Sequence, residues 1–347
     1  MHDIFQDLEI WFQKKMPIGL ATVINTWGSS PRGVGAKMAF NLEAGISGSV
    51  SGGCVETAVV EAGLQAVITD RPELLNFGVA DETAFEVGLA CGGNIEIFVR
   101  KLDPVIYKAI RAAVNANIPA ALVTVIAGPV HLYGREILID GSGNTHGEIG
   151  EGLDEKALEF ACHSMETDQS QNITLELQGH DTVRLFVDVI TPPPVLVMVG
   201  GVHIAITLAT LAKALGYHTI VIDPRRVFGS PDRFPHVDRL IQAWPDEAFA
   251  EIALTRNTCV ALLTHDPKID DPALKTVLNS PVFYIGALGS RKTNQKRRQR
   301  LLEAGITPAQ LDRLYAPIGL DLGGKTPEEV ALSIMAEILT VRRGCLR

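Results

Sequence analysis

The sequence predicts an α/β protein with two domains, an N-terminal mixed α+β domain and a C-terminal Rossmann-like domain with a doubly wound parallel sheet. The chain has 347 residues, more than one ordinary domain holds. Consecutive prolines at 192–194 fix φ and remove amide donors, which favours an extended spacer. After them, strand-like runs alternate with helical patterns, as in a parallel sheet with right-handed crossovers. We therefore place the domains at 1–190 and 195–347, with a linker at 191–194.

The N-terminal domain contains helical stripes and short apolar runs at irregular spacing. Helices are predicted over 2–16, 55–68, 104–114 and 154–163. Strands are predicted over 18–26, 37–41, 45–53, 74–77, 95–99, 121–126, 136–140, 173–178 and 183–190. Because several of these strands adjoin without an intervening helix, we expect them to form a mixed sheet.

The C-terminal domain has a more regular pattern. It begins with the apolar strand Val195–Val199, and a helix follows from about His203 to Leu215, ending at Gly216. Further strands are predicted over 219–222, 259–263 and 282–285, each followed by a polar or glycine-rich loop.

Composition excludes several classes of protein. The formal net charge of -9 argues against a general nucleic-acid binder, whose affinity comes from neutralising phosphates, and against a membrane-surface protein. The N-terminus has acids where a signal peptide has basic residues, and no apolar run approaches the ~20 residues of a spanning helix. The five cysteines are scattered without a C-x-x-C pair, so neither a disulfide framework nor a zinc site is indicated. We expect a cytoplasmic protein, with a homodimer as the common state of such chains.

A dinucleotide-type turn follows the first C-terminal strand. Gly200, Gly201 and His203 open a helix, and the next strand ends at Asp223, the spacing at which an acid bonds ribose hydroxyls. Val202 replaces the middle glycine of the fingerprint and crowds the approach of a pyrophosphate. The pattern leaves two interpretations open, an NAD(P) or phosphate site and a purely structural turn.

A second phosphate-type loop runs from Gly286 through Gly289 to a basic helix. Ser290, Arg291 and Lys292 would lie at the helix N-terminus, where anions bind. The later basic residues, Lys296, Arg297, Arg298 and Arg300, are expected on a solvated helix face. Asp223, His265, Asp266 and this loop would share the crevice at the carboxyl ends of the strands, although a lone histidine is usually structural.

Two cysteines of the N-terminal domain lie among small residues. Gly52 and Gly53 precede Cys54, and Glu56 follows it. Cys54 lies at a predicted helix N-terminus, a position that favours a thiolate. Cys91 precedes two further glycines. Thiolates suit soft metal centres, whereas a small buried cysteine in a tight turn is the plain alternative for both.

Together these segments resemble the xanthine dehydrogenase accessory factor family, XdhC/CoxI, over nearly the whole chain. The strings that carry the resemblance lie at 26–32 (TWGSSPR), 35–38 (GAKM), 48–56 (GSVSGGCVE), 91–93 (CGG), 221–225 (VIDPR), 233–235 (RFP), 264–266 (THD), 284–292 (YIGALGSRK), 317–321 (PIGLD) and 326–331 (TPEEVA).

The resemblance implies a maturation factor, a cofactor-binding chaperone more than a catalyst. Such a protein would bind molybdenum cofactor, protect it during sulfuration, and deliver it to an apo molybdenum hydroxylase, with a cysteine desulfurase as a further partner. Cys54 and Cys91 would engage the molybdenum or its sulfur, with Gly52, Gly53 and Glu56 among the residues that contact the cofactor. The phosphate-binding loops, together with Arg225, would hold the pterin phosphate or its nucleotide. Ser29 and Arg32 suit an anionic ligand, with a turn scaffold as the alternative. The rival functions are an NAD(P)-dependent oxidoreductase and a persulfide carrier through Cys54.

Overall fold

The chain folds into two compact units, Met1–Pro192 and Pro193–Arg347. The structure is a computed structural model, and it describes residues 2–28, 32–78, 93–177 and 182–345. None of the helices in these ranges is long and apolar enough to cross a membrane.

Unit 1 alternates single helices with pairs and triplets of strands. Its elements are α1 (His2–Gln13), β1 (Ile18–Trp27), β2 (Lys37–Asn41), β3 (Ile46–Gly48), α2 (Glu56–Thr69), β4 (Glu73–Phe77), β5 (Asn94–Lys101), α3 (Pro104–Asn115), β6 (Ala120–Ala127), β7 (Glu136–Asp140), β8 (Thr145–Glu148), α4 (Asp154–Thr167), β9 (Gln171–Glu176) and β10 (Thr182–Ile190).

The strands of unit 1 form two separate sheets, ordered β3-β2-β1-β5-β4 and β8-β7-β6-β10-β9. Every strand pair within them is antiparallel. The expectation of a mixed sheet was therefore wrong. The connections that lack a helix run between antiparallel neighbours, which need no crossover, whereas parallel neighbours would need one.

The two sheets belong to two copies of one αβββαββ topology. In each copy the first helix precedes three strands, the second helix has 14 residues, and two more strands close the sheet in the same order. We call residues 2–102 the first half and 104–190 the second half. The sequence pattern gave no sign of this duplication.

Local details confirm that the halves are equivalent position by position. The β1–β5 ladder skips Ile24, and the β6–β10 ladder skips Ile126, so the same bulge occurs twice. The helices α2 and α4 both end at an aspartate in left-handed conformation, Asp70 and Asp168. Gly48 and Gly147 also correspond, because both have positive φ and an added Cβ would collide with the carbonyl oxygen of Lys37 and of Glu136, respectively.

The two halves pack together through equivalent residues, as in an isologous dimer interface. Its apolar centre consists of Ile24 and Phe98 from the first half and their counterparts Ile126 and Phe186. Three ion pairs surround it: Lys37–Asp188 at 2.7 Å, Arg100–Glu136 at 2.9 Å and Glu96–Arg184 at 2.5 Å. Lys37 corresponds to Glu136, Arg100 to Asp188 and Glu96 to Arg184, so each position carries opposite charges in the two halves.

Unit 2 is a six-stranded parallel sheet with helices on its faces. Its elements are β11 (Val195–Val199), α5 (His203–Ala214), β12 (His218–Ile222), β13 (Arg239–Ile241), α6 (Pro245–Ala250), β14 (Thr258–Leu262), α7 (Pro267–Val277), β15 (Tyr284–Ala287), α8 (Arg291–Glu303), α9 (Pro308–Leu311), β16 (Leu314–Tyr315) and α10 (Pro327–Arg342). The order β13-β12-β11-β14-β15-β16 is that of a doubly wound Rossmann sheet, so the predicted fold class is confirmed.

One basic residue of α8 is buried, contrary to the expectation of a solvated basic face. The Arg297 side chain is 2% exposed and donates to Asp270 of α7 at 2.7 Å. Asp270 also accepts from the hydroxyl of Thr264, at the end of β14. Asn294, Arg297 and Leu301 are the buried residues of α8, a helical spacing that directs this guanidinium into the core. Arg298 and Arg300 form ion pairs nearer the surface, with Asp312 and Asp271.

Candidate functional site

The Glu56 carboxylate organises the loop between β3 and α2. It accepts hydrogen bonds from the hydroxyls of Ser49 and Ser51, at 2.6 and 2.5 Å. It also accepts from the backbone N–H groups of Ser51, Gly52, Gly53 and Val55, at 2.9 to 3.2 Å. The predicted strand over 45–53 therefore ends at Gly48, because the amides that would extend its ladder point at one carboxylate instead.

These contacts fix the ionisation of Glu56. Burial raises its pKa, but the hydrogen bonds from Ser49 and Ser51 outweigh burial, and the pKa falls from 4.5 to about 2. The carboxylate is therefore charged at neutral pH. Its oxygens are occupied by the loop, so Glu56 is a structural centre of this loop and not a free ligand group.

Cys54 lies in the same loop, two residues before α2 begins. Its backbone N–H donates to the Ser51 hydroxyl at 3.0 Å, and its side chain, a half-buried free thiol, packs against the core under α2. Gly53 has a φ of 119°, and no atom of the described residues lies within 4 Å of the position where a Cβ would stand. A ligand can approach the backbone there, one residue before Cys54.

The second half carries a counterpart of this loop without a thiol. Asp154 opens α4 as Glu56 opens α2, and it accepts from the N–H groups of Ile149 and Gly150, at 2.7 and 3.4 Å. The stretch from Gly147 to Asp154 is one residue shorter than that from Gly48 to Glu56, and it contains no cysteine. Capping by a carboxylate is thus common to both halves, whereas the cysteine is particular to the first.

Two predicted site residues, Ser29 and Cys91, lie outside the described residues. Arg32 is described, and its Nε donates to the carbonyl oxygen of Ser49 at 3.2 Å. The loop of Cys54 is therefore held from two sides, by Glu56 and by Arg32. Within the described ranges, no group of three or more His, Cys, Asp or Glu side chains is arranged to hold a metal ion.

In unit 2, the glycines of the dinucleotide-type turn are explained by packing within the protein. Gly200 has a φ of 108°, and a Cβ there would collide with the side chain of Thr264. A Cβ on Gly201 would collide with the backbone of Phe228, and Phe234 lies close by. The loop after β12 therefore occupies the Cβ side of Gly201.

Asp223, the acid expected to bond ribose, is fully buried and already paired. One oxygen accepts from the N–H and Nε of Arg225, both at 2.9 Å; the other accepts from Gly201 N–H and Arg225 Nη2, both at 2.8 Å. Burial raises the pKa of Asp223, but its bonds to Arg225 and Gly201 lower it overall. The Arg225 guanidinium also lies over the Phe228 ring, 4.1 Å from its centroid. Both oxygens are thus committed to the turn and to Arg225.

The remaining predicted residues of the crevice differ in their surroundings. His265 is exposed, while Asp266 caps α7 by accepting from Lys268 N–H at 2.9 Å. His203 is exposed at the start of α5, and its Nε2 lies 3.8 Å from Glu328.

The loop after β15 ends in a capped helix. Gly286 is buried within β15, where a Cβ would collide with Tyr284 and Ile318. Gly289 has a φ of 136°, and Ser290 caps α8 by accepting from Thr293 N–H at 3.2 Å. Arg291 and Lys292 are exposed beyond this cap.

Sequence reasoning missed the network of Thr264, Asp270 and Arg297 that fixes the end of β14. Its signal was the spacing of Asn294, Arg297 and Leu301, which is that of a buried helix stripe. The run of basic letters around Arg297 obscured this spacing. The contact of Gly201 with the loop after β12 had no comparable signal.

Comparisons with known proteins agree with both units. A family model described as the XdhC Rossmann domain matches residues 196–338, and one described as the XdhC and CoxI family matches residues 11–78. A Bacillus subtilis protein, named as a probable subunit of xanthine dehydrogenase, is 28% identical over 330 residues, covering 93% of each chain. The Escherichia coli protein named molybdenum cofactor insertion chaperone PaoD is 27% identical, covering 93% of this chain and 83% of the relative.

A solved structure shares the fold. It is a crystal structure of a protein described as a xanthine dehydrogenase from Bacillus halodurans, with a TM-score of 0.77 and 24% identity over 98% of this chain and 96% of that one. The two family models together match 211 of the 347 residues, so the chain belongs to the XdhC and CoxI family.

Proposed function

We propose that this protein is an accessory factor that binds molybdenum cofactor and assists its insertion into a molybdenum hydroxylase of the xanthine dehydrogenase type. Family membership and the relative named as a molybdenum cofactor insertion chaperone support this role. The observation that carries it is the loop of Cys54, where a half-buried free thiol directly follows Gly53, whose Cβ position is open among the described residues. We assign the contact with the molybdenum centre to this loop.

The chemistry of the loop suits brief contact with such a cargo. A thiol is a soft ligand suited to a thiophilic centre, and one thiol beside an open backbone leaves the cargo free to depart. A resident metal would instead require several ligands, and the described residues offer no such cluster. The loop therefore suits transient contact, as expected of a chaperone.

Each residue of the loop would have a separate role. The bound cofactor would supply the molybdenum chemistry that its client enzyme later uses. Cys54 would offer its sulfur, and Gly53 would leave room for the ligand beside it. Glu56 would keep the loop in shape, while Arg32, bonded to Ser49, would hold the other side.

Sulfuration of the cofactor is the finer part of the proposal. The Cys54 thiolate would attack the outer sulfur of a persulfide on a cysteine desulfurase. The desulfurase S–S bond would break, its thiolate would leave, and a new S–S bond would form at Cys54. The free, half-buried state of Cys54 favours this persulfide carrier as a second candidate function. No oxidant is consumed, because the persulfide already holds the transferred sulfur.

Unit 2 is proposed separately as a site for a phosphate-bearing ligand. The start of α5 at His203 and the exposed Arg291 and Lys292 are the groups that would bind it. An NAD(P)-dependent oxidoreductase has no comparable support, because Asp223 is committed to Arg225 and Val202 replaces the middle glycine of the fingerprint.

The test is a titration of the purified protein with molybdenum cofactor released from a donor enzyme, followed by activation of an apo molybdenum hydroxylase. We expect Cys54→Ala to weaken binding about tenfold or more and to reduce activation in parallel. Cys162→Ala, which removes an exposed thiol from the second half, is the matched control and should behave as wild type. Equal binding by the wild type and Cys54→Ala would refute the assigned contact, and a wild type that neither binds nor activates would refute the function.

Mass spectrometry separates the second candidate from the first. After incubation with a cysteine desulfurase and free cysteine, a persulfide carrier gains one sulfur atom at Cys54. A protein that binds cofactor but gains no sulfur is a chaperone without this transfer step.

A further inference from the structure

A groove between the first half and the start of the second half lies apart from the loop of Cys54. It has a volume of about 570 Å³, within the range of small-molecule sites, and forms where α1 ends and α3 begins. Its floor is apolar, made of Phe12, Met16, Pro17, Ile18, Leu102 and Pro104. Its polar lining consists of four cations and one amide, namely Lys15, Lys101, Lys108, Arg111 and Gln13.

The charge of this groove is opposite to that of the whole chain. The chain carries a formal net charge of -9, yet no carboxylate is among the described residues that line the groove. Lys101 and Arg111 are paired with acids outside the lining, with Asp70 at 3.4 Å and Glu9 at 2.8 Å. Lys15 and Lys108 have no ion-pair partner within the described part of the chain. Two exposed ammonium groups thus remain uncompensated above an apolar floor.

The duplicated topology shows which of these groups the fold itself requires. The same corner of the second half is built with Val114 in place of Phe12, Asn117 in place of Lys15 and Val189 in place of Lys101. The backbone is unchanged, since Lys15 and Asn117 have φ of 56° and 57° and donate equivalent N–H bonds to Phe12 and Val114. The turn after this helix therefore folds without the ring of Phe12 and without the charges of Lys15 and Lys101.

Lys15 is also placed at a conformational cost. The left-handed region suits asparagine, whose short side chain bonds locally, better than a long side chain. The second half has the suitable residue at this position, whereas the first half keeps a lysine. A strained position that retains a charged side chain at the rim of a cavity points to a ligand.

We propose that this groove binds an organic anion with an apolar body, such as an aromatic or aliphatic carboxylate, sulfonate or phosphate monoester. The apolar body lies on Met16, Ile18 and Leu102, against the ring of Phe12. The anionic group lies between Lys15 and Lys108. The Nζ of Lys108 is already 6.0 Å from the Phe12 ring centroid, so the cation stands over the apolar floor. This site is independent of the proposed cofactor contact.

The test uses anilinonaphthalene sulfonate, an aromatic anion whose fluorescence rises in apolar surroundings. We expect saturable binding by the full-length wild type and about tenfold weaker binding by the double variant Lys15→Gln, Lys108→Gln. The matched control, Lys156→Gln with Lys275→Gln, removes two exposed cations elsewhere and should leave the affinity unchanged. Decanoate should displace the probe. Decanol, which lacks the anionic group, and inorganic phosphate, which lacks the apolar body, should displace it far less.

A single variant separates binding from folding. Lys15→Asn introduces the residue that the second half has at this position. It should raise the melting temperature slightly and lower the affinity for the probe. Equal affinities of the wild type and the double variant would overturn the proposal. So would displacement by phosphate as effective as that by decanoate, because an apolar body would then be unnecessary. Failure of molybdenum cofactor binding at Cys54 would leave these results unaffected.

Discussion

The Glu56 side chain illustrates how one carboxylate can determine the shape of a loop. Its partners are four backbone N–H groups and two hydroxyls, all within eight residues of itself. Sequence reasoning placed Glu56 among the residues that contact the cofactor. The structure instead gives it a positioning role toward Cys54, a distinction that depends on where its oxygens point and that no spacing of letters reveals.

The first prediction concerns the reactivity of the Cys54 thiol. Glu56→Gln replaces one acceptor oxygen by an N–H₂ group that faces donors, so the loop should lose its fixed shape. We expect the alkylation rate of Cys54 to change by about threefold or more, as measured by peptide mass mapping, because each lost charged bond is worth roughly 1.5–3 kcal/mol. Asp154→Asn makes the same change in the second half and should leave the rate unaltered. The exposed thiols of Cys162 and Cys345 provide internal references.

The second prediction follows from the lowered pKa of Glu56. A carboxyl whose folded pKa lies below its unfolded value stabilises the fold fully above the unfolded value, and that stabilisation is lost as pH falls through the folded one. With values of 4.5 unfolded and about 2 folded, the contribution is present at neutral pH and is lost between these two values. The difference in unfolding free energy between the wild type and Glu56→Gln should therefore be constant from pH 7 to 5 and shrink below. A difference that shrinks near neutral pH would contradict this assignment.

Among the elements, α7 and α8 are joined by a buried ion pair. Asp270 and Arg297 are 1% and 2% exposed at their side chains, and Arg297 also donates to the carbonyl oxygen of Leu288, at 3.1 Å. This pair fixes the loop after β15 relative to the end of β14, where Thr264 supports Gly200. The carboxyl edge of the parallel sheet is thus held by side chains that are almost fully buried.

The third prediction is that removing one partner of this pair is costly. Arg297→Met leaves the Asp270 carboxylate buried without its cation, which destabilises unit 2 by about 3–5 kcal/mol. Arg298→Met, the adjacent change, removes an exposed pair with Asp312 and should cost no more than about 1 kcal/mol. Urea unfolding followed by circular dichroism measures both. Similar losses from the two variants would show that Arg297 contributes no more than a surface residue.

Elements were predictable from the sequence where their own residues decide them. The strand Val195–Val199, the helix from His203 and the stop at Gly216 follow from local periodicity and turn chemistry, and the structure confirms them. The short strands β8, β13 and β16 were missed, because two to four residues carry too little pattern. Partners of Asp223 and Gly201 were unpredictable for another reason: they come from loop 225–234, whose path depends on tertiary packing.

At the scale of the whole molecule, unit 1 has the internal symmetry of a dimer within one chain. Equivalent residues of the halves meet at its centre, and the ion pairs have opposite polarity in the two halves. A pair of identical halves would place Lys37 and Arg100 against like charges. The divergence of the two copies has therefore made the association of the halves specific to one another.

The fourth prediction tests this complementarity. Glu96 and Arg184 occupy equivalent positions and bond each other at 2.5 Å, so exchanging them should preserve the contact. We expect Glu96→Arg alone and Arg184→Glu alone each to destabilise unit 1, and the double variant to recover much of the loss, with a coupling energy of about 1–3 kcal/mol. Thermal unfolding of the four proteins measures it. Strictly additive losses would show that the two residues do not interact.

The duplication escaped sequence reasoning because few letters are shared. Thr22-Val23-Ile24 and Thr124-Val125-Ile126 coincide, as do Phe98-Val99 and Phe186-Val187, but such apolar triplets and pairs are common in strands. The equivalence lies in the bulges, the left-handed residues and the strand order, all of which are properties of the backbone. The cysteine loop shows the same limit, since its carboxylate-capped counterpart at Asp154 shares only scattered glycines with it.

The strand order has a consequence for synthesis of the chain. In each half the first strand pairs with the last, β1 with β5 and β6 with β10. Neither sheet can therefore be completed until its last strand has left the ribosome. The first sheet can be completed once residue 101 has left the ribosome, while residues 104–190 are still being made. We therefore expect a nascent chain whose residue 101 has just left the ribosome to hold the complete five-stranded sheet, whose inner face waits for residues 104–190 to cover it. The face of the first half that packs against the second half is therefore exposed during translation, until residues 104–190 have been made and have folded onto it.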